Sequence, residues 1–359
     1  MLRSFKTKLK LDDRQATVMA RHAGYSRWIY NWALRLWGEA YQAGLKPSAH
    51  RLKKFFTNHI KPLYPWMNEL SSKVYQYTFI HLGEAFNRFL TGLGNYPQFK
   101  KKGRHDSFTI DNSGKPIQLV GINHKLPFIG QVKTFEPIPE CVTKKVTISR
   151  AADGWYLSFT YCSEPIKTAK ICQAVGVDLG LKTLATLSSG IIFENPKPYK
   201  RAFKKIKGLQ RKLSRKVKSS ENWSKARHKL ARAHQKVTNI RKNTLHQITS
   251  YLAKNHSQIV IEDLNVLGMM KNHCLAGAIA DVGFYEFGRQ LEYKCAWYGS
   301  ELIVASRWYP SSQLCSSCHH QQSMPLSVRV FKCDRCGFEI DRDLNASINL
   351  ENYPHTAVG

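Results

Sequence analysis

The sequence predicts an α+β protein of two or three domains, and three observations support this fold class. The chain has 359 residues, whereas one domain usually holds about 150. Hydrophobic residues make up 43% of the chain and aromatic residues 11%, which is enough for several buried cores and excludes a disordered basic protein. Helical periodicity, strand-like alternation and mixed patterns follow one another, and this order indicates a helical, a β and an α/β part.

The N-terminal part predicts a short strand followed by a helical domain. Apolar residues alternate loosely with Lys and Arg over 1–11, which is typical of a strand. Asp12 then precedes a long apolar stripe at helical spacing that stops at Gly44, and Ser71 precedes a second stripe. We therefore expect a helical domain over 12–95.

The next segment, 96–167, changes to short runs of β type. The runs VTKKVTIS and WYLSFTY flank a turn at 152–154, which predicts a β-hairpin. A basic cluster at 100–104 lies directly before another such run. Together with the strand over 1–11, these runs predict a small β-barrel that the helical domain interrupts.

The remaining sequence predicts an α/β domain with an inserted helical hairpin. The run VGVDLGLKTLATLSSG predicts two antiparallel strands joined by a tight turn. Residues 200–253 carry apolar positions at helical spacing with a break at 219–222, which predicts two packed helices. Apolar runs at 256–263 and 299–308 predict further buried strands.

The charge of the chain is strongly unbalanced. It has 55 Lys and Arg against 25 Asp and Glu, a net charge of +30 at pH 7. Such a surplus repels itself in a compact fold unless a polyanion neutralises it, and nucleic acid does so with release of counterions. The segment 197–242 alone holds 18 basic residues and one acidic residue, Glu221. Because a solvated helix face usually mixes both signs, we expect nucleic acid to bind there.

Other classes of protein are excluded by composition. No apolar run approaches the roughly 18 residues of a membrane-spanning helix, and no apolar signal segment is present at the N-terminus. Nine cysteines without a secretion signal indicate thiols or metal ligands rather than disulfides. We therefore expect a cytoplasmic protein that has no membrane partner.

Four of the cysteines have the spacing of a structural metal site. The two C-x-x-C pairs, separated by 14 residues, are Cys315 with Cys318 and Cys333 with Cys336. Such pairs place four thiolates around a tetrahedral Zn²⁺ and leave no position for water. The sequence therefore predicts a zinc ribbon over 310–336, in which Zn²⁺ stabilises a loop too short for its own core. His319 and His320 are alternative ligands, although we expect both to face solvent.

Three carboxylates occupy positions typical of a nuclease site. Asp178 lies in the middle of a predicted strand, Glu262 ends another, and Asp343 lies in a predicted final helix. Each alone also fits a structural role such as a cap. An Asp on the first of three antiparallel strands, a Glu on a later strand and an Asp near the last helix is the order of RNase H-like nucleases. Clustered carboxylates require cations, and two Mg²⁺ ions would activate water and stabilise the leaving oxygen of a phosphodiester.

Seven stretches, spread over nearly the whole chain, complete this pattern. In chain order they are SRWIYNWAL, QFKKKGRHDSFT, GVDLGLKTLAT, IVIEDLNVLGM, AIADVGFYEF, YPSSQLCSSC and FKCDRCGFEIDRDLNASINL. A zinc ribbon lies between the second and third carboxylates, which is a distinctive arrangement. The sequence thereby resembles the TnpB family of transposon-associated nucleases, which are relatives of type V CRISPR effectors.

The resemblance implies an RNA-guided DNA endonuclease with a RuvC-type, RNase H-like catalytic domain. The catalytic and Mg²⁺-binding residues that it implies are Asp178, Glu262 and Asp343. Asp341 is the alternative to Asp343, which we favour because Asp343 and Asn345 form the D-x-N pattern. Arg342, between the two aspartates, either contacts phosphate or is exposed to solvent.

A domain order and two partners are also implied by the resemblance. Residues 1–11 and 96–167 correspond to a wedge-like barrel, 12–95 to a helical recognition domain, and 168–309 with 337–359 to the nuclease domain. The partners are a guide RNA from the transposon end and double-stranded target DNA beside a short motif. We expect a monomer in a prokaryotic cytoplasm. The basic residues expected to bind nucleic acid are Lys100, Lys101, Lys102, Arg104, Lys204, Lys205, Arg211, Lys212, Arg215 and Lys216.

Two other functions remain open at this point. Transposases that transfer DNA strands share the RNase H-like fold and its three acidic residues. A guide-bound regulator that no longer cuts DNA is the second alternative, and the loss of one carboxylate would favour it. All three carboxylates are present, so the sequence favours the nuclease.

Overall fold

The structure of the chain, a computed structural model, describes residues 1–166, 168–325 and 327–356. It divides into two compact units, Met1–Ser163 and Glu164–Gly359. Lys167 and Leu326, in the predicted barrel and ribbon, and residues 357–359 of the predicted nuclease domain lie outside the described residues. Helices and strands both contribute to the fold, so the predicted mixed α/β content is confirmed. Within the described part, no helix is long and apolar enough to cross a membrane.

The first unit contains an antiparallel sheet of six strands. Its strands are β1 (Leu2–Lys10), β2 (Ser107–Asp111), β3 (Ile117–Leu126), β4 (Gly130–Thr143), β5 (Lys145–Ala151) and β6 (Gly154–Cys162). Their order is β2-β5-β6-β1-β4-β3. The predicted hairpin is confirmed, because Ala151 of β5 pairs with Gly154 of β6. The first strand joins the later strands of this unit, as predicted, and it pairs with β6 and β4 near the centre of the sheet.

Three α-helices precede the later strands of this unit. They are α1 (Asp13–Gln42), α2 (Ala49–Phe55) and α3 (Ser72–Leu90). Asp12 begins α1 as predicted, with its side chain accepting from the Gln15 backbone N–H while the Gln15 side chain accepts from the Asp12 N–H. The sequence predicted no element between Gly44 and Ser71, where α2 is followed by a π-helical turn and two 3-10 turns.

The helices and the sheet of the first unit share one hydrophobic core. Met19 and Ile29 of α1 and Phe79 of α3 are buried together with Ile110 of β2 and Leu157 of β6. The helical segment and the strands therefore fold as one compact unit. Their assignment as a separate recognition domain and barrel stays a prediction.

The second unit contains a mixed sheet of five strands. Its strands are β7 (Cys172–Leu179), β8 (Thr183–Leu187), β9 (Ile192–Glu194), β10 (His256–Glu262) and β11 (Glu301–Ala305). Their order is β11-β10-β7-β8-β9. The strand β8 runs antiparallel to both β7 and β9, whereas β10 is parallel to both β7 and β11. The predicted antiparallel pair at the start of this part is thus confirmed.

Six helices lie between or after the strands of the second unit, and three of them, α5, α8 and α9, pack on the sheet. They are α4 (Pro198–Ser214), α5 (Glu221–Asn255), α6 (Val266–Met269), α7 (Ala276–Val282), α8 (Phe284–Tyr298) and α9 (Arg342–Thr356). The predicted helical hairpin is formed by α4 and α5. On one sheet face, Leu252 of α5 and Leu291 of α8 are buried with Ile259 of β10. On the other face, Leu350 of α9 is buried with Val260.

A glycine in the central strand allows α9 to approach β7 directly. A Cβ atom at Gly176 would lie 1.8 Å from the Ser347 carbonyl oxygen and 2.5 Å from the Glu351 nitrogen. Any larger residue would push the helix away from the strand, because both clashing atoms belong to the α9 backbone. The close contact holds the middle of α9 against β7.

Candidate active site and metal centre

Two of the predicted acidic residues lie at the ends of neighbouring strands. Asp178 is the next-to-last residue of β7, so its predicted position in the middle of the strand is wrong. Glu262 is the last residue of β10, as predicted. The parallel register pairs Ile261 with Val177, so Glu262 and Asp178 lie at the same level one residue further on. Parallel strands therefore bring the two carboxylates to one edge of the sheet.

The third acidic residue lies in the first turn of α9. Asp343 lines the same cavity as Asp178 and Glu262. The alternative candidate, Asp341, has a different environment, because its Oδ1 accepts the backbone N–H groups of Asp343 at 2.9 Å and Leu344 at 3.1 Å. These are the hydrogen bonds of an N-cap residue.

The three carboxylates share a cavity of about 380 Å³ with basic and hydroxyl side chains. The side chains that line it besides the acids include Lys182, Arg329, Arg342, Ser311 and Ser312. Burial, together with the charges of Glu262 and Asp343, raises the pKa of Asp178 to about 8, while Arg342 opposes this rise. The negative charge around Asp178 thus outweighs the effect of Arg342, and the site favours a bound cation.

Four of these lining residues were not singled out from the sequence, namely Lys182, Ser311, Ser312 and Arg329, and two of them contact a carboxylate. Ser311 donates a hydrogen bond from its Oγ to Glu262 Oε1 and is 3% exposed. Arg329 Nη1 lies 3.8 Å from Asp343 Oδ1. The run YPSSQ, directly before the first cysteine pair, was a signal for Ser311. Arg329 had no comparable signal, since an isolated arginine before a short strand is usually exposed.

The position of Arg342 contradicts one of its two predicted environments and leaves the phosphate contact a prediction. Arg342 is 8% exposed, so the solvent-exposed alternative is wrong. Its guanidinium donates to the carbonyls of Pro325 at 3.3 Å and Val328 at 3.4 Å, and to Ser312 Oγ at 3.4 Å. The side chain therefore fixes the loop beside the acidic cavity while it also lines that cavity.

The four predicted zinc ligands come together in a compact cluster. Their sulfur atoms all lie within 4.8 Å of one another, and these residues are Cys315, Cys318, Cys333 and Cys336. Two short strands, β12 (Val330–Lys332) and β13 (Glu339–Asp341), accompany the cluster. Among the described residues, no other group of three or more possible metal ligands has its ligand atoms so close together. The oxygen atoms of Asp178, Glu262 and Asp343 therefore lie further apart than the four sulfur atoms. Four thiolates at tetrahedral spacing fit Zn²⁺.

The two cysteine pairs have matching backbone turns. The His319 N–H donates to the Cys315 carbonyl, and the Gly337 N–H donates to the Cys333 carbonyl, each at 2.9 Å. Both residues have a left-handed backbone, with φ of +57° at His319 and +71° at Gly337. His319 thus adopts the conformation that glycine provides at the second turn. His319 is exposed, as expected, whereas His320 is half-buried, and neither belongs to the ligand cluster.

Two asparagines of α9 connect the cysteine cluster to the acidic cavity. Asn345 is fully buried, donates to the Leu314 carbonyl at 2.6 Å and accepts the Ser316 N–H at 3.0 Å. Asn349 donates to the carbonyls of Ser311 and Leu314. The helix that carries Asp343 therefore also holds the first cysteine pair and the serine that contacts Glu262.

Nine of the ten predicted nucleic-acid contacts are exposed side chains. In the first unit they are Lys101, Lys102 and Arg104, and on the hairpin they are Lys204, Lys205, Arg211, Lys212, Arg215 and Lys216. Lys100 differs, because its Nζ lies 4.1 Å from the centroid of the Tyr30 ring and burial lowers its pKa. Its ammonium group is thus directed to an aromatic ring instead of solvent.

A buried aspartate from α7 anchors the basic hairpin. Asp281 is 6% exposed and accepts the backbone N–H groups of Tyr199 at 2.9 Å and Lys200 at 3.3 Å. Arg241 of α5 donates to the same carboxylate at 2.9 Å. Lys197, the residue before α4, has a left-handed backbone and provides no side-chain cap, so Asp281 caps the helix from a distant segment. Asp281 was not singled out from the sequence, although it lies in the stretch AIADVGFYEF.

Comparisons with known protein families match most of the chain. A family described as "Probable transposase" matches residues 158–273, and "Cas12f1-like, TNB domain" matches residues 284–350. A family described as "Helix-turn-helix domain" matches residues 1–46, where the structure has β1 followed by the single long helix α1.

Individual relatives match nearly the whole chain. A Streptomyces pristinaespiralis protein named "Putative RNA-guided DNA endonuclease" is 37% identical over 97% of this chain and 88% of its own length. The Escherichia coli K12 protein "Putative RNA-guided DNA endonuclease InsQ" is 33% identical over 99% of this chain and 93% of its own length. Among solved structures, the Cas12f1-sgRNA-target DNA complex aligns with a TM-score of 0.56 at 14% identity, covering 95% of this chain and 83% of that chain. This likeness shows a shared fold.

Proposed function

The chain belongs to the TnpB family, and from this premise we propose that it is an RNA-guided DNA endonuclease that hydrolyses target phosphodiesters at the acidic cavity. The observation that carries the proposal is that Asp178, Glu262 and Asp343 line one cavity. The surrounding sheet supports a RuvC-type, RNase H-like domain, because β7, β8 and β9 form an antiparallel series and β10 is parallel to β7.

The three carboxylates would hold Mg²⁺. Their oxygen atoms are the donors that this cation prefers. Burial, and secondarily the charges of Glu262 and Asp343, raises the pKa of Asp178, and a bound cation would favour its charged form. When bound, Mg²⁺ supplies an activated water and stabilises the leaving oxygen of a phosphodiester. Asp343 is the third carboxylate of this proposal, because Asp341 is used as the cap of α9.

Other residues of the cavity would position the substrate and the carboxylates. Lys182 and Arg329 line the cavity beside the acids, where their charges can meet phosphate oxygens. Ser311 holds Glu262 in one orientation through its hydrogen bond. Arg342 keeps the loop that carries Arg329 against the start of α9.

The cysteine cluster would hold a structural Zn²⁺. Four thiolates leave no position for water or substrate, so this metal takes no part in hydrolysis. The metal would stabilise the fold of the ribbon. The hydrogen bonds of Asn345 would then hold α9 against the folded ribbon.

Guide RNA and double-stranded target DNA are the partners in this proposal. The exposed basic residues of the hairpin and of the 101–104 cluster would contact the guide and the heteroduplex backbone. Base pairing would read the target, and the first unit, with the wedge-like barrel and recognition segment, would read a short adjacent motif. A monomeric, cytoplasmic, transposon-encoded enzyme is part of the same proposal.

The test uses protein expressed from its native locus, so that its RNA copurifies. We expect a discrete RNA and Mg²⁺-dependent cleavage of DNA that the RNA matches. Asp178→Ala and Glu262→Ala should abolish cleavage and keep RNA binding. Asp263→Ala is the matched control, because Asp263 pairs with Arg307 and lies outside the acidic cavity. Cleavage by Asp178→Ala at the wild-type rate would refute the proposal.

A transposase is the second candidate, because the family that matches 158–273 carries that description. Incubation of the protein with transposon ends and Mg²⁺ separates the two functions. Joined DNA ends would favour the transposase, whereas guide-dependent cleavage without joining would favour the nuclease. A regulator that no longer cuts is disfavoured by the presence of all three carboxylates at the cavity.

A further inference from the structure

A second cavity, of about 730 Å³, adjoins the acidic cavity within the second unit. The two cavities share Leu181, Lys182 and Arg329 in their walls. The second cavity extends from these residues to the first turns of α4 and to α7. Its volume is that of a typical small-ligand site and is sufficient for a nucleotide.

The second cavity carries a strong positive charge. Its cationic lining residues are Lys182, Lys197, Lys200, Lys204 and Arg329. The acidic lining residue, Asp281, is occupied by Arg241 and by the N-terminal N–H groups of α4. The cavity therefore attracts anions, in contrast to the acidic cavity beside it.

One wall of this cavity is aromatic. Phe203, on the second turn of α4, is 46% exposed, and its ring lies 6.0 Å from the ring of Tyr199 in an edge-to-face arrangement. Leu275 and Ala278 line the same cavity. An exposed aromatic ring among five cations is the combination that binds single-stranded nucleic acid, because bases stack on the ring while cations meet the phosphates.

We propose that this cavity holds the nucleotide next to the scissile phosphate of a single DNA strand, with its base stacked on Phe203 and its phosphates at Lys182, Lys204 and Arg329. The proposal rests on the proposed nuclease function, since the shared wall leads the strand to the three carboxylates. It also assigns Lys204 to the strand being cut instead of the guide RNA.

Photocrosslinking tests the binding without any cleavage. The probe is a single-stranded oligothymidylate with one 5-iodouracil, irradiated with the full-length protein in the absence of Mg²⁺. We expect the crosslink in the peptide that contains Tyr199 and Phe203. Phe203→Ala should lose most of it, and Phe203→Trp should retain it. Tyr285→Ala is the matched control, because Tyr285 is a 76% exposed ring of the same unit outside this cavity. Crosslinks confined to other peptides would overturn the proposal.

A cleavage assay then tests the position of the nucleotide. In the guide-RNA complex, Phe203→Ala should slow cleavage about 10-fold, the usual order when one base–aromatic stack is removed. An abasic nucleotide at the contacted position should slow the wild type by a similar factor and the variant no further. If the abasic nucleotide slowed cleavage by the same factor in the wild type and in Phe203→Ala, the proposal would be overturned. A crosslink at Phe203 in a wild-type protein that fails to cut guided DNA would support this cavity and refute the nuclease.

Discussion

Two aspartates at the start of α9, two positions apart, have different roles. Asp341 accepts two backbone N–H groups of the helix, whereas Asp343 lines the acidic cavity. The sequence left both open as the third carboxylate, and the D-x-N pattern favoured Asp343. The local hydrogen bonds of Asp341 now provide a physical reason, because a carboxylate that caps a helix has fewer free oxygen positions for a cation.

We expect substitutions at these two positions to separate stability from activity. Asp341→Ala should lower the free energy of unfolding by about 1 kcal/mol, the usual cost of removing an N-cap, and keep most cleavage. Asp343→Ala should abolish cleavage without that cost. Denaturant unfolding and single-turnover cleavage measure the two effects. The reverse pattern would assign the third carboxylate to Asp341.

A buried lysine adds a pH dependence to the stability of the second unit. Lys294 of α8 is 3% exposed, and its Nζ donates to the His246 carbonyl, Thr249 Oγ1 and Ser250 Oγ of α5. Burial, and secondarily the charge of Lys254, lowers the pKa of Lys294 to about 8, which Glu286 opposes.

This shift predicts that the contribution of Lys294 to stability increases with pH. Between pH 8 and pH 10.5 the unfolded chain keeps a proton that the folded chain has released, so rising pH favours the folded state. As the pH rises across this window, the free energy of unfolding of the wild type should increase relative to that of Lys294→Met. The increase should reach up to about 3 kcal/mol. Urea titrations at several pH values measure it. A difference that stays constant with pH would show that Lys294 keeps its ordinary pKa.

At the scale of elements, α9 joins the cysteine cluster to the carboxylates. Asn345, in the helix that carries Asp343, bonds the backbone of Leu314 and Ser316 on either side of Cys315. Disorder in the ribbon should therefore reach the acidic cavity through α9, although no cysteine lines that cavity.

We expect zinc removal and Asn345→Ala to lower cleavage by different routes. Cys333→Ser with Cys336→Ser should lose one zinc per chain and most activity. Asn345→Ala should keep the zinc and reduce the cleavage rate about 10-fold, the order expected when buried hydrogen bonds of about 1–3 kcal/mol are removed. Metal analysis and cleavage kinetics provide the readouts.

Gln322→Ala is the control, because the Gln322 side chain bonds within the ribbon, to Lys332 and Asp334. Wild-type cleavage by Asn345→Ala would show that the ribbon and the acidic cavity are independent.

Regular elements were predictable from the sequence because their signals are local. The capping residue Asp12 and the apolar stripe after it mark α1, and the alternation around Asp178 marks β7 and β8. Two features lacked such signals. The π-helical and 3-10 turns before Ser71 have no sustained periodicity, and Asp281 caps α4 from a segment far away in the chain.

At the scale of the whole molecule, the net charge of +30 should dominate non-specific binding of nucleic acid. The charge was readable from composition alone, whereas the exposure of each lysine required the fold. Lys100 illustrates the difference, since its ammonium group lies on the Tyr30 ring although Lys101 and Lys102 are exposed.

We expect duplex DNA binding to weaken steeply with salt, and the hairpin to account for part of that slope. Alanine at Lys204, Arg211 and Arg215 should reduce the slope of log K against log salt by about 0.9 for each phosphate that the variant no longer neutralises. Lys100→Ala should leave the slope unchanged. Binding measured by anisotropy at several salt concentrations tests this. A reduction of the slope in Lys100→Ala equal to that of a hairpin variant would contradict it.

The contact between Gly176 and α9 also has a consequence for protein synthesis. A ribosome makes all five strands of the second-unit sheet before it reaches α9. Until then the nascent chain exposes Val260 and Ala305, which Leu350 later covers, and it carries two of the three cavity carboxylates. The cutting site therefore cannot be assembled early. Translation of α9 adds both Asp343 and the residue that covers this face, so the proposed site is complete only after α9 has been made.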